Sequence, residues 1–271
     1  MGLKIEKWQV DAKKKWQWQD YPTQSNDDVP DGKKERQKWA QELSSQLNVW
    51  QEKLHAEGKR KVLVILQGMD TSGKDGTVRS VFQNVDPLGV RVEAFKAPTS
   101  TELARDYLWR VHQVVPKQGE MVFFNRSHYE DVLVTRVKGW IDDAEQARRI
   151  KHINEFERML HETGTHIIKI FLNISSQTQQ ERLQKRLDNP DKNWKFTLSD
   201  VEDRLFWDGF QAQYAKVLSK TSTKHAPWYV IPADSKSTRD VLVLQVLLAH
   251  FEAINPQFPS VDKTDWPEVI V

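Results

Sequence analysis

The chain has 271 residues, 29% of them charged and 38% hydrophobic, with a formal net charge of +2 at pH 7. That length allows one large domain or a domain with an extension, and so small a charge gives no argument for a nucleic-acid partner. No apolar run approaches the roughly 18 residues needed to span a bilayer, and the absence of cysteine excludes disulfides and thiolate metal sites.

The opening MGLKIEKWQV lacks the apolar core of a signal peptide, so a cytoplasmic location is expected. Residues 1–33 have no sustained period and read as an arm draped over the body. Trp8, Trp16, Trp18 and Trp39 all precede the first glycine-rich loop. They read as anchors pinning the arm; a stacking platform for nucleic acid is the competing reading. From Lys34 to Glu57, Trp39, Leu43, Leu47, Trp50 and Leu54 recur at spacings of four, four, three and four, which predicts a long amphipathic helix ending near Gly58.

The pattern then switches. KVLVIL (61–66), VRVEAF (90–95), MVFF (121–124), HIIKIFL (166–172) and WYVI (228–231) read as buried strands. Helices are expected at 73–84, 99–115, 128–138, 143–163, 175–188, 199–220 and 237–254. Alternating strands and helices predict a parallel sheet covered on both faces, with ligands along the edge formed by the strands' carboxyl ends. The fold class expected is α/β, a three-layer fold with a parallel sheet and an N-terminal helical extension. The expected divisions are 1–58 for the arm and long helix, 59–255 for the core with its lid at about 182–210, and 256–271 for a tail.

Three stretches carry chemistry. GMDTSGKDG (68–76) places Gly68, Gly73 and Lys74 in phosphate-loop register, after a strand and at the start of a helix. The backbone of Gly68, Thr71, Ser72, Gly73 and Gly76 would cradle phosphate, and the helix N-terminus and Lys74 would add positive charge. Asp75 stands where the motif carries its metal-binding hydroxyl. Asp70, inside the loop, is read as the replacement metal ligand, since a carboxylate beside phosphate needs a cation between them; capping the helix is the alternative. Asp75 itself reads as a helix-start residue.

In FFNRSHYEDV (123–132), Asn125 and Arg126 fall at a strand end, Asn125 as a neutral amide and Arg126 as a bidentate phosphate clamp. Glu130 either acts on a second substrate or caps the following helix. In QERLQKRLDNPDKNWKF (180–196), Arg182 and Arg186 share a helix face leading into a Pro-broken segment with Lys195, the pattern of a lid closing over phosphates. The eight histidines show no ligand spacing. Together these features indicate phosphoryl transfer, in which positioning and charge neutralisation do most of the catalysis.

LQGMDTSGKDGTV, FKAPTSTEL, FNRSHYEDVLVTRV, IKIFLNIS, the ERLQKRL-to-WKF segment and TSTKHAPWYVIPAD run in this order along the chain as far as Asp234. With these the chain resembles the family-two polyphosphate kinases, specifically class III. The resemblance implies an α/β, three-layer P-loop kinase-like fold with a helical lid, and transfer of a terminal phosphoryl group from inorganic polyphosphate to nucleoside mono- and diphosphates (AMP/ADP, GMP/GDP), with Mg²⁺ or Mn²⁺. It implies Asp70 as metal-binding acid, Lys74 as loop lysine, Arg126 as phosphate-binding arginine, and Arg182 and Arg186 as lid arginines. Asn125 falls where other classes have Asp, and Glu130 on a position associated with monophosphate use. Lys74, Arg79, Lys96, Arg126, Arg136, Arg182 and Arg186 are the candidates for a polyphosphate track. A homo-oligomer is expected, with neither nucleic acid nor membrane as partner. The chain departs from the family after IPAD, reading SKSTRD without the usual aromatic. An ATP-dependent nucleoside-monophosphate kinase and a non-catalytic polyphosphate- or RNA-binding module are the alternatives.

Overall fold

A computed structural model describes residues 5–260 and 262. Five strands form one parallel sheet: β1 (Lys61–Gly68), β2 (Val90–Ala94), β3 (Met121–Asn125), β4 (Thr165–Asn173) and β5 (Trp228–Pro232), in the order β2-β3-β1-β4-β5. All five expected strands form. β1, β3, β4 and β5 are buried and largely apolar because helices cover both faces, residues 62–66 of β1 fully so, whereas edge strand β2 is only partly covered, with Val92 and Ala94 exposed. Registry brings the carboxyl ends together, with Leu66 opposite Asn125, Gly68 opposite Leu172, and Asn173 opposite Pro232. The connections diverge at β1, between β3 and β4, and a ligand crevice belongs at that edge.

The helices are α1 (Lys33–Glu57), α2 (Lys74–Val81), α3 (Ser100–Leu103), α4 (Trp109–His112), α5 (Val134–Val137), α6 (Asp143–Glu162), α7 (Ser176–Leu187), α8 (Leu198–Leu205), α9 (Trp207–Thr221) and α10 (Lys236–Ile254). α1, α2 and α10 pack together on one side, and α5, α6 and α9 on the other. Of the expected stripe, α1 buries Leu43, Leu47 and Leu54 and leaves Trp39 and Trp50 half-buried against the core, and it ends where Gly58 adopts a left-handed conformation.

Three expected helices are broken. The 99–115 stretch becomes α3 and α4, because Thr99 closes a capping box on α3 and the Asp106 carboxylate accepts from the Leu108 amide in a turn between them. The 128–138 stretch becomes a 3-10 turn, His128–Asp131, followed by α5. The 199–220 stretch breaks at Phe206 into α8 and α9.

The arm closes the sheet's open edge. Val10 donates its amide to Trp228 O at 2.8 Å, and Gln9 forms an antiparallel bridge with Tyr229, covering part of edge strand β5. Trp8 is buried, Trp16 stacks on Tyr21 at 4.4 Å, and Trp18 rests on Phe171. These tryptophans therefore anchor the arm. It runs on to the carboxyl edge, where Asn173 donates to Tyr21 O and the Asp234 amide to Thr23 O. Ser237, in the SKSTRD departure, accepts from Arg36 Nε at 3.0 Å, so a polar tie between α1 and α10 occupies that place. Of the expected tail, residues 256–260 and Asp262 lie within the described set. Among the described residues no helix is long and apolar enough to cross a membrane.

Candidate active site at the phosphate loop

Between β1 and α2 the backbone turns with Thr71 at φ +63° and Gly73 at φ +102°. Gly73 cannot be replaced without displacement, since an added Cβ would run into Nη1 of Arg239 from α10. The hydroxyls of Thr71, Ser72 and Thr77 are buried and have no hydrogen-bond partner. Buried polar groups seldom stay unpaired in a finished site, and these three supply donors around a loop whose amides already favour an anion.

Lys74 folds back over its own loop, donating to Gly68 O at 2.7 Å and Met69 O at 3.2 Å. Burial, with the Arg126 guanidinium adding to it, lowers its ammonium to about 8. Across the crevice Arg126 sits at φ +62° directly after β3 and donates from Nη2 to Asp70 Oδ1 at 3.0 Å. Burial would weaken the Arg126 cation, but Glu130 and Asp70 outweigh it and raise its pKa. Burial pushes the Glu130 carboxyl up against the pull of Arg126 and Lys74. Asp70, Lys74, Arg126 and Glu130 thus form one cluster of alternating charge at the sheet's switch point.

Asn125 donates from Nδ2 to Asp75 Oδ1 at 2.9 Å. Asp75 lies in the first turn of α2, as expected of a helix-start residue, and also accepts from this amide. Arg182 is placed differently from a lid arginine. Its guanidinium donates to four carbonyls, Thr71 and Ser72 in the loop and Ala233 and Asp234 after β5, at 2.7–3.1 Å. Burial and the neighbouring Arg239 lower its pKa to about 10. Arg186, one turn on, lies 3.9 Å from Asp200 at the start of α8.

The remaining expected track residues do not converge on the loop as a set. Arg136 is held bidentately by Asp143, at 3.2 and 2.9 Å, in the connection to α6. Arg79 is exposed on the last turn of α2. Lys96 is exposed beyond the end of β2, and its carbonyl accepts from Arg110. Gly76 packs against Arg239. Lys195 ends the 3-10 turn Pro190–Lys195, and its side chain lies outside the described residues.

Two contributors were not singled out from sequence. Tyr214 on α9 is 4% exposed. Burial pushes its hydroxyl well up, with Glu130 and Asp70 adding to the shift, so it remains a protonated donor beside them. Arg239, 2% exposed, binds Asp240 through Nε and Nη2 and leaves Nη1 unpartnered behind Gly73. The aromatic-rich pattern of α9 and the buried character of α10 concealed both. A polar cavity of about 460 Å³ opens beside this assembly, between Gln24, Ser25 and Asn26 of the arm and Ser175, Glu181 and Asp234. It adjoins the Arg182 carbonyls rather than the Asp70–Arg126 pair.

Among the described residues no three His, Cys, Asp or Glu side chains gather as metal ligands. Asp70 beside a phosphate loop with orphaned hydroxyls still fits a hard divalent cation. Mg²⁺ and Mn²⁺ accept one or two carboxylates and complete their shell with phosphate oxygens and water.

The polyphosphate kinase 2 (PPK2) family profile matches residues 29–259. The chain is 55% identical over 218 residues to an AMP/ADP-polyphosphate phosphotransferase of Meiothermus ruber, covering 80% of this chain and 82% of that one. It is 39% identical over 222 residues to an ADP-polyphosphate phosphotransferase of Rhodopseudomonas palustris, covering 78% and 77%. The crystal structure of polyphosphate kinase 2 from Arthrobacter aurescens TC1 superposes with a TM-score of 0.90 at 40% identity, over 94% of this chain and 91% of that one.

Proposed function

The chain belongs to the polyphosphate kinase 2 family, and on that premise we propose that it moves the terminal phosphoryl group of inorganic polyphosphate onto nucleoside mono- and diphosphates. AMP would pass through ADP to ATP, with GMP and GDP treated likewise. The class III reading, a cytoplasmic location and a homo-oligomeric assembly belong to the same proposal. The observation that carries it is the Asp70–Arg126 pair, 3.0 Å apart across a phosphate loop that has no hydroxyl after its lysine. A loop built for Mg²⁺–triphosphate would use that hydroxyl. Here the carboxylate has moved into the loop and faces the arginine that would receive phosphate.

In the reaction, the bond between the terminal phosphorus and its bridging oxygen breaks, and the electron pair leaves with the shortened polyphosphate. A terminal phosphate oxygen of the acceptor nucleotide forms the new P–O bond. That oxygen is already ionised at neutral pH, so no side chain need remove a proton. Lys74 and Arg126 would bind and align the donor, Arg186 would come over it from the lid helix, and Glu130 would face the acceptor. Arg182 supports the loop through its carbonyls rather than touching substrate. Asp70 would hold a divalent cation, with the Asn125 amide oxygen beside it. Bound there, the cation neutralises charge on the transferring group.

The test is incubation with AMP, a divalent cation and long-chain polyphosphate in the absence of ATP. ADP followed by ATP is expected. Phosphorylation of AMP only when ATP is supplied would identify the ATP-dependent alternative, and polyphosphate binding without turnover would identify the non-catalytic module.

A further inference from the structure

Directly behind the turn that presents Arg126 and Glu130 lies a fully buried ionic network. Lys169 of β4 has no exposed side-chain surface. It donates all three ammonium hydrogens: to Tyr129 Oη at 2.9 Å, to Glu157 Oε2 of α6 at 2.5 Å, and to Thr221 O at 2.7 Å. Tyr129 in turn donates to Glu157 Oε1 at 2.7 Å, and the His128 ring lies 3.4 Å from the same oxygen. Burial alone would raise the Glu157 carboxyl, but Lys169 and His128 outweigh it and hold it below the usual range. Trp228 of β5 crosses the Tyr129 ring edge-on at 4.9 Å and donates Nε1 to Thr221 Oγ1.

Stability does not explain this arrangement. An apolar cluster of similar volume usually serves a core as well as or better than a buried ion pair, and such pairs are best accounted for where they fix a geometry. The geometry that needs fixing is adjacent. Arg126 is a non-glycine residue in the left-handed region, a conformation that costs energy and persists only where its surroundings impose it. On its upstream side the turn is held by the Arg126 amide on Leu66 O and by Gln67 Nε2 on Ser127 Oγ. On its downstream side the hold is Tyr129, three residues after Arg126 and next to Glu130.

We infer that Tyr129, fixed by Glu157 and Lys169, is a positioning residue that sets where Arg126 and Glu130 stand in the active site. Small displacements of groups that align reactants are costly, and about 1 Å can cost a hundredfold in rate. The inference rests on the proposed roles of Arg126 and Glu130.

The test compares kcat and KM for AMP and for ADP in the wild type, Tyr129→Phe and Glu130→Asn, with thermal midpoints measured alongside. Tyr129→Phe keeps the ring against Trp228 and removes only the hydroxyl. It is expected to lower kcat about tenfold with either acceptor well below its thermal midpoint. It should also move the AMP-to-ADP ratio of kcat/KM in the same direction as Glu130→Asn. Glu157→Gln, which keeps shape and drops the charge, should reproduce the ratio shift if it folds. Wild-type kcat and ratio in Tyr129→Phe, whatever its stability, would overturn the inference. If Glu130→Asn leaves the ratio unmoved, the proposed role of Glu130 fails instead. The kcat of Tyr129→Phe then decides the positioning of Arg126.

Discussion

Asn125 at the end of β3 and Asp75 in the first turn of α2 are joined by a 2.9 Å hydrogen bond, with the amide nitrogen as donor. The bond turns the amide's nitrogen toward α2; in the proposed site its oxygen would serve a ligand or metal-bound water. Partners that orient a metal's surroundings typically matter by 10- to 100-fold in metal affinity. Asp75→Ala is therefore expected to raise the half-saturating concentration of divalent cation by about tenfold. Stability should change by no more than about 1 kcal/mol, the usual worth of an acid at a helix start. A metal titration of the initial rate checks this. An unchanged metal requirement would return Asp75 to a helix-start role.

Asp70 is ion-paired with Arg126 and is the one acid between the end of β1 and the start of α2. Asp70→Asn keeps its size and removes its charge, so metal-dependent turnover should fall by at least about a hundredfold, the scale of losing one charge-stabilising group. A near-wild-type rate with a normal circular dichroism spectrum would remove the residue from the metal's shell.

The fold was legible where one physical signal dominated. All five strands were found, four of them as buried apolar runs and β2 as a partly exposed edge strand; the α1 stripe follows a 3.6-residue period, with its leucines buried and Trp39 and Trp50 half-buried. Helices held by caps and turns rather than by periodicity were overestimated, as at Thr99 and Asp106. In the site, Asp70, Lys74, Arg126 and Glu130 were readable because one loop and one strand end carry them. Arg182 read as a lid arginine because spacing shows a shared face but not what that face meets. Tyr214 and Arg239 come from the distant helices α9 and α10, and only the tertiary packing brings them to the loop.

Lys74 gives a pH limb. Its ammonium is lowered to about 8, chiefly by burial and then by Arg126. The cation proposed to bind donor phosphate is therefore lost as pH rises through that value in the free enzyme. The rate at limiting polyphosphate should fall above about pH 8, while the rate at saturating donor holds to higher pH because bound phosphate favours the charged form. Lys74→Arg retains charge throughout this range. Its residual activity should lack the limb. A wild-type profile flat from pH 7 to pH 9.5 at limiting donor would contradict the assignment.

Arg182 and Arg186, paired by sequence, should separate by experiment. Arg182 serves four carbonyls and links the phosphate loop to the residues after β5. Removing a partly buried donor to several acceptors leaves them unsatisfied, so Arg182→Ala should destabilise the fold by about 2–4 kcal/mol. Arg186 makes a long, partly exposed ion pair with Asp200. Arg186→Ala should cost no more than about 1 kcal/mol yet lower kcat by about a hundredfold through loss of a phosphate contact. Urea unfolding and steady-state rates on both variants separate the roles. Equal stability losses would mean that the two arginines share one function.

At the opposite, amino-terminal edge of the sheet, His166 Nε2 lies 2.7 Å from His250 Nδ1, and His250 Nε2 lies 2.9 Å from the Tyr229 hydroxyl. Burial lowers His166 to about 4, with His161 adding a smaller push, and lowers His250 to about 3, with His166 adding one. Both rings are thus neutral in the folded chain at neutral pH. The unfolded chain takes up protons as pH falls through about 6.5, while the folded chain does not follow until about pH 4. In that window the unfolded state binds more protons, so stability falls as pH falls, by up to about 1.4 kcal/mol per pH unit for each histidine. Denaturant midpoints between pH 7 and pH 4.5 should decline accordingly. His250→Gln should flatten the decline by removing one titrating ring. Midpoints that stay constant between pH 7 and pH 4.5 would contradict the assignment of the decline to these rings.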